Sequence, residues 1–295
     1  MTCYLSTSCF GGTPISKAIS LCVETGVSNI ELSAPHKSQP VAEIERILVE
    51  QRSIGLNFTT HNYFPAPVSP FVLNLATSEQ SNKIAGLELV RNAIRLNKAA
   101  KSPVYGIHAG YLAAAHPGRD GSFVFRDDRE KDSYKNCLKR ATSFVREIAP
   151  EFREAGVKLL IENLFPTPVK QHSLFCTFDE IREYLSHVDE DVGLLLDLGH
   201  LNVSSNILGF DRNKFLDQYL SAFGEMVYEV HISENNGIKD EHRPIKTGSW
   251  QLDVLKEISS VQTNNGEKKI ICLEARRATE TELKQSLELI NSNTQ

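Results

Sequence analysis

Eight short apolar runs recur along the chain, and a longer stretch of helical period separates each from the next. The runs are "CYLSTSCF", "SNIELSA", "GLNFTTH", "PVYGIH", "VKLLIE", "VGLLLD", "MVYEVH" and "KKIICLE". They are rich in Val, Ile and Leu and do not alternate cleanly. That is the pattern of strands covered on both faces, as in a parallel sheet. The intervening stretches repeat apolar residues every three to four positions. "ISKAISLCVETG" and "VAEIERILVEQRSIG" each stop on a glycine, Gly26 and Gly55, which favours a helix end. "NKIAGLELVRNAIRLNKAAK" is long and amphipathic. "DSYKNCLKRATSFVREIAPEFREAG" is longer, and Pro150 is expected to break or kink it. "FDEIREYLSHV" and "DRNKFLDQYLSAFG" carry acidic residues in the first turn, where the helix dipole favours them. "WQLDVLKEISSV" and "TETELKQSLELINS" complete the series.

Eight strand-then-helix units predict an α/β protein whose sheet closes into a (β/α)₈ TIM barrel, with a doubly wound open sheet as the alternative. No linker, low-complexity tract or composition shift divides the chain, so residues 1–295 are read as a single domain. One irregular segment, "AGYLAAAHPGRDGSFVFRDDRE", is too long for a plain connection after the fourth strand and reads as a lid or substrate loop.

Composition narrows the classes. The net charge of −5 provides no global basic footprint for nucleic acid. No apolar run approaches a membrane span. The start "MTCYLSTSCFGG" lacks the basic and apolar parts of a secretory signal. Six scattered cysteines without a C-x-x-C pair read as free thiols in a reducing compartment, so a cytoplasmic location is expected.

The chemistry of a barrel gathers where its strands end. The last six runs end on His61, His108, Glu162, Asp197, His231 and Glu274. Asp and Glu number 37 and His nine among 295 residues, about one position in six, so six such endings in succession are not a product of composition. Three more candidates follow closely: His200 as D-x-x-H after Asp197, and Asp240 and His242 as D-x-H in "HISENNGIKDEHRP". Each has a bland explanation alone. A strand-end His can be a hydrogen-bonded core residue, Asp197 can cap the next turn, and Asp240 with His242 can be a solvated loop. Together they are nine ionisable groups at one mouth, and burying them without a cation is costly. Nitrogen and oxygen donors without thiolate suit Zn²⁺, Mn²⁺ or Fe²⁺. His36 follows the second run, after "ELSAP", and is a candidate for substrate contact. His172 and His187 read as surface residues, His116 sits in the long loop, and Glu234 and Glu241 are peripheral.

The segments "THNYF", "GIHAGY", "LIEN", "LLDLGH", "VHISENNG", "DEHRP" and "CLEAR" make the whole chain resemble the xylose-isomerase-like TIM-barrel superfamily. That superfamily includes sugar and sugar-phosphate isomerases and epimerases, and endonuclease IV. In the sugar branch the resemblance implies one divalent ion, Mn²⁺ or Zn²⁺, on Glu162, Asp197, His231 and Glu274. Glu162 and Glu274 then exchange a substrate proton through a metal-stabilised enediolate. His200, Arg243 and Arg276 would orient substrate oxygens, and Lys246 or the arginines of 119–129 would meet an anionic group. The nuclease branch implies up to three zinc ions on all nine residues and a nucleic-acid substrate. Its usual flanks are replaced here by "ENLFPTP" and "DLGHLNVSS", while "HISEN" and "HRPIKTGSWQLD" look more like the sugar branch. In the glycine-rich ending typical of that branch, Lys246 replaces one glycine. The expected activity is therefore a metal-dependent isomerase or epimerase acting on a small sugar, with no membrane partner and self-association left open. A metal-dependent phosphodiesterase is the alternative, and a non-catalytic barrel the third reading.

Overall fold

The computed structural model describes residues 1–118, 123–125, 133–166, 173–188 and 191–294. Eight parallel strands close into a barrel: β1 (Thr2–Ser6), β2 (Asn29–Leu32), β3 (Asn57–His61), β4 (Val104–His108), β7 (Lys158–Glu162), β8 (Gly193–Asp197), β9 (Val227–Ile232) and β10 (Ile270–Leu273). Their order around the ring is β1-β10-β9-β8-β7-β4-β3-β2. The open-sheet alternative is thereby excluded. Every residue of β8 and β9 is buried, as expected of strands packed on both faces.

Side chains of a strand point alternately in and out, and this parity sorts the interior into layers. Tyr4, Thr59, Leu160, Leu195, Glu229 and Cys272 each lie two residues before Ser6, His61, Glu162, Asp197, His231 and Glu274. The mostly apolar layer is a floor beneath the polar one. At the base of the barrel Lys269 is buried, and its Nζ donates to the carbonyls of Gly224 and Val227 at 2.6 and 2.7 Å. The larger core lies between the strands and the surrounding helices and includes Leu5, Phe58, Ile107, Ile161, Leu196 and Ile232.

The helices are α1 (Ile15–Glu24), α2 (Val41–Ser53), α3 (Gln80–Ala100), α4 (Tyr134–Ala155), α5 (Phe178–Ser186), α6 (Leu198–Leu208), α7 (Arg212–Phe223), α8 (Trp250–Ser260) and α9 (Glu280–Ser292). α5 and α9 begin with reciprocal capping boxes, Thr177 with Glu180 and Thr279 with Glu282. None of the helices is long and apolar enough to cross a membrane. α4 is not broken at Pro150, one of the two outcomes expected there: it runs on to Ala155. Its last turns are held by burial of Ile148, Ala149 and Phe152, and Phe152 stacks on Tyr105 with ring centroids 5.2 Å apart. That packing outweighs the lost backbone donor. α6 is not expected from the pattern, because "LGHLNVSSNIL" is rich in small polar residues and lacks a clear apolar stripe.

Within the long segment after β4, β5 (Ala115–Pro117) and β6 (Phe123–Phe125) pair antiparallel. Phe123 packs edge-on against Tyr63 and Tyr111, with centroids 5.7 and 5.8 Å apart. Arg119, Arg126, Arg129 and His172 lie outside the described residues.

Candidate metal centre

Strand register brings the predicted residues side by side before any side-chain packing is considered. His108 is paired with Glu162, and Asp197 with His231. His61 ends β3, opposite Gly106 of β4. A methyl group at Gly106 would come within 2.9 Å of His61 Cδ2 and 2.6 Å of Leu195 Cδ1. Glycine there gives the His61 ring its room.

On one side of the mouth, Glu162 Oε2 lies 2.8 Å from His61 Nε2 and 3.2 Å from His108 Nε2. Each ring has a second partner: Ser33 Oγ at 3.3 Å from His61 Nδ1, and Tyr111 OH at 2.7 Å from His108 Nδ1. Burial alone would raise the Glu162 carboxyl, but the imidazoles of His108 and His61 pull it well below the usual carboxylate range. His61 is raised, because the Glu162 charge outweighs its burial; for His108 burial prevails and it is lowered.

On the other side, Glu274 follows β10. Its Oε1 accepts from Ser6 Oγ at 3.3 Å and Ser8 Oγ at 3.0 Å. Its Oε2 faces His231 Nδ1 at 3.5 Å and His242 Nδ1 at 3.7 Å. Burial opposes ionisation here too, yet His231 and His242 hold Glu274 well below its ordinary value.

Asp197 joins the two sides. Its Oδ1 accepts from the His200 backbone N–H at 2.7 Å and caps α6, while Oδ2 lies 3.8 Å from His200 Nδ1 and 3.9 Å from His231 Nδ1. Capping uses one oxygen and leaves the other facing the two histidines. Asn163 fixes the Asp197 backbone, accepting from its N–H at 2.7 Å and donating to its carbonyl at 2.9 Å. Gly199 lets α6 start this close, since a Cβ there would lie 2.9 Å from Ser233 Oγ and 3.1 Å from Asp197 Oδ1. Burial, reinforced by the charges of Glu162 and Asp240 and opposed by His200, pushes Asp197 up to about 6.

The loop after β9 folds back over this centre. Glu234 and Arg243 exchange backbone hydrogen bonds at 2.9 and 2.8 Å, and Asn235 Nδ2 donates to the Gly199 carbonyl at 2.8 Å. The return leaves Asp240 Oδ2 at 2.6 Å from His242 Nε2 and 3.5 Å from His200 Nε2. His242 is held at φ 47, a left-handed conformation that non-glycine residues seldom adopt. Despite burial, the carboxylates of Asp197, Asp240 and Glu162 raise His200 to about 10.

All nine predicted ligand-type residues thus meet at one end of the barrel. Three groups of them, His61–His108–Glu162, Glu162–Asp197–His200 and Asp197–His231–Glu274, each have donor atoms within 4.8 Å of one another, and a fourth such group joins Glu31 to His61 and His231. Glu162 Oε1, His231 Nδ1, Asp240 Oδ1 and His242 Nδ1 are buried without a hydrogen-bond partner among the described residues. Buried lone pairs left over in this way, on hard oxygen and imidazole donors, fit a divalent cation.

Residues 19–293 match the family described as xylose isomerase-like TIM barrel. The chain belongs to that family. An uncharacterized protein of Methanocaldococcus jannaschii, MJ1311, is 27% identical over 224 residues, which is 74% of this chain and 68% of that protein. Among solved structures, a D-tagatose 3-epimerase-like protein superposes with a TM-score of 0.74 at 19% identity, covering all of both chains. D-psicose 3-epimerase from Clostridium cellulolyticum, solved with D-tagatose, has a TM-score of 0.71 at 13% identity and the same coverage. A Thermus thermophilus protein soaked with zinc chloride has a TM-score of 0.60 at 17% identity and covers 99% of each chain. At these identities the likeness is one of fold.

The residues expected to contact substrate divide differently. His200 is in the cluster. The guanidinium of Arg243 instead pairs with Glu241. Arg276 is exposed, and Lys246 lines an outer groove with Glu282 and Gln285 of α9. His36 is half-buried with Nδ1 3.2 Å from the Thr13 carbonyl, and burial lowers it to about 4. Ser6, Ser8, Glu31 and Glu229 join the interior without having been expected there. Attention to strand ends alone hides them, although the two-residue parity of "IEL" and "YEVH" marks Glu31 and Glu229 as inward-facing.

Proposed function

We propose that this protein is a divalent-metal-dependent isomerase or epimerase of a sugar or sugar phosphate, acting by proton transfer at a carbon next to a carbonyl. The observation that carries the reading is the buried quartet Glu162, Asp197, His231 and Glu274, in which Glu162 Oε1, 3.2 Å from His200 Nδ1, and His231 Nδ1 make no hydrogen bond among the described residues. Its two glutamates enter from β7 and from the end of β10, three strands apart around a ring of eight. The sugar epimerases named among the solved structures share this fold. Mn²⁺ or Zn²⁺ bound by the quartet would supply Lewis acidity to the substrate oxygens.

The chain's own residues divide the proton transfer. Glu162 has imidazoles beside it, which favour its anion and suit it to take a proton from carbon. Glu274 has two serine hydroxyls on one oxygen. A hydroxyl both donates and accepts, so Glu274 keeps a partner whether or not it carries a proton. That suits it to return one. His200, held by its Nδ1 against the Asn163 carbonyl at 2.8 Å, turns Nε2 toward the mouth and Asp240. The test is C–H exchange: with Mn²⁺ or Zn²⁺ in D₂O, one member of a panel of ketoses and ketose phosphates is expected to gain deuterium. No exchange across the panel would overturn the proposal.

A second reading, metal-dependent phosphodiester cleavage at abasic sites, is favoured by ligands beyond the quartet. These are His61 and His108 on Glu162, and the group His200, Asp240 and His242. Cleavage of an abasic-site duplex with Zn²⁺ or Mn²⁺ would establish it, and an intact duplex would remove it.

A further inference from the structure

β2 supplies none of the nine predicted ligands, yet it sends a fully buried carboxylate toward them. Glu31 is paired in register with Ser6 on one neighbouring strand and Thr59 on the other. Its Oε2 accepts from His231 Nε2 at 2.7 Å, and both side chains are completely enclosed. Glu31 Oε1 has no hydrogen-bond partner among the described residues, and neither has either carboxylate oxygen of the nearby Glu229. His231 is thus the only donor to Glu31 among the described residues.

The two nitrogens of an imidazole have different tasks, and the bond made by one decides what the other can do. With Nε2–H tied to Glu31, Nδ1 is the nitrogen that faces Glu274 Oε2 at 3.5 Å and Asp197 Oδ2 at 3.9 Å. Turning the ring over would put Cδ2 in place of Nδ1 and Cε1 in place of Nε2, so Glu274 and Asp197 would face carbon and Glu31 would be a buried carboxylate stripped of its donor. His61 has no such anchor: its Nδ1 faces the Ser33 hydroxyl at 3.3 Å, and its Nε2 faces Glu162.

We propose that Glu31 is a positioning residue for the metal centre: by accepting the His231 Nε2–H it dictates that Nδ1 is the nitrogen offered to the ion. The inference rests on the metal reading above and adds a residue to it. Carboxylates behind a ligand histidine typically strengthen metal affinity by about 10–100-fold.

The experiment uses the full-length chain with Glu31→Gln and Glu31→Ala. Zn²⁺ affinity is measured by calorimetry on the tightest binding step. The His231 ring protons are followed by ¹H–¹⁵N correlation in the metal-free and Zn²⁺-loaded protein. The wild type is expected to show a downfield, slowly exchanging His231 Nε2–H. Glu31→Ala should lose that signal and bind Zn²⁺ about 10–100-fold more weakly. Glu31→Gln keeps an acceptor without charge, so an intermediate shift and an intermediate loss are expected. Either variant with an unchanged Nε2–H signal and wild-type affinity would overturn the proposal. If Glu31→Ala does not fold, Glu31→Gln decides alone. A wild-type protein that binds no Zn²⁺ would defeat the metal reading instead, and the Nε2–H signal in the metal-free protein would still decide whether Glu31 orients His231.

Discussion

Glu162 and Glu274 are the same residue type at the same end of one barrel, yet they stand among different neighbours. Glu162 shares an oxygen with two imidazoles, His61 and His108. Glu274 has one oxygen on two hydroxyls, Ser6 and Ser8, and turns the other toward His231 and His242. Imidazoles that can carry charge fix one protonation state, whereas hydroxyls accommodate two. In the proposed mechanism Glu162 on the β7 side is the base and Glu274 on the β10 side the acid, although both carboxyls are buried beside imidazoles and both lie well below their ordinary values.

The largest test of that division is removal of each carboxylate. Glu162→Gln and Glu274→Gln are each expected to slow substrate C–H exchange by about 10²–10⁴-fold, the usual worth of a general acid or base. With a substrate whose two epimers are both available, exchange from one face should fail in each variant. Full exchange in Glu274→Gln would erase the comparison.

Smaller changes probe the surroundings of each glutamate. Gly106→Ala should force His61 and Leu195 apart, at about 1–3 kcal/mol of stability, read by urea denaturation. An unchanged midpoint would mean that His61 has slack and does not hold Glu162. Ser8→Ala removes a 3.0 Å donor from Glu274 and is expected to slow exchange about tenfold, about 1.4 kcal/mol, with less effect on stability. Equal kinetic effects of Ser8→Ala and Glu274→Gln would show that the hydroxyl matters as much as the carboxylate.

The smallest effect is on pH dependence. His200 is raised from 6.5 to about 10, so its contribution to the stability of the metal-free protein is complete below pH 6.5 and lost as pH rises through about 10. Asp197, raised to about 6, completes its titration at the lower edge of this window, and Glu229, raised to about 8 by burial and the charge of Glu31, titrates inside it in the same sense as His200. Lys269, lowered by burial to about 8, acts in the opposite sense above that pH, and does so with or without metal. The difference between Tm curves with EDTA and with Zn²⁺ should therefore widen from pH 6.5 to 10. A constant difference would contradict the assignment of His200 to the ion-binding face.

Much of this was legible in the sequence, for identifiable reasons. Parallel strands buried on both faces read as apolar runs, and the residues ending the last six runs, with three just past them, are the nine that meet at the mouth. Other placements needed more than the strand ends. Glu31 and Glu229 are inside the barrel but not at a strand end, so only side-chain parity reveals them. Arg243 and Lys246 follow the motif; the backbone pairing of Glu234 with Arg243 sets the one beside Glu241, and the other lies with α9. Pro150 was expected to break or kink α4; the helix is not broken there, and Phe152 beyond it packs against Tyr105. The placements of Arg243, Lys246 and Phe152 depend on tertiary contacts that local sequence does not encode.

The central claim is that Glu162, Asp197, His231 and Glu274 form a divalent-metal centre. Elemental analysis of the purified chain after saturation with Zn²⁺ or Mn²⁺ and removal of excess tests it most directly, with Asp197→Asn alongside. At least one ion per wild-type chain is predicted, with a marked loss in the variant. One ion favours the isomerase reading, three favour the phosphodiesterase, and two leave both open. A folded wild-type chain that retains no divalent ion, or an Asp197→Asn chain that retains as much as the wild type, would contradict the account.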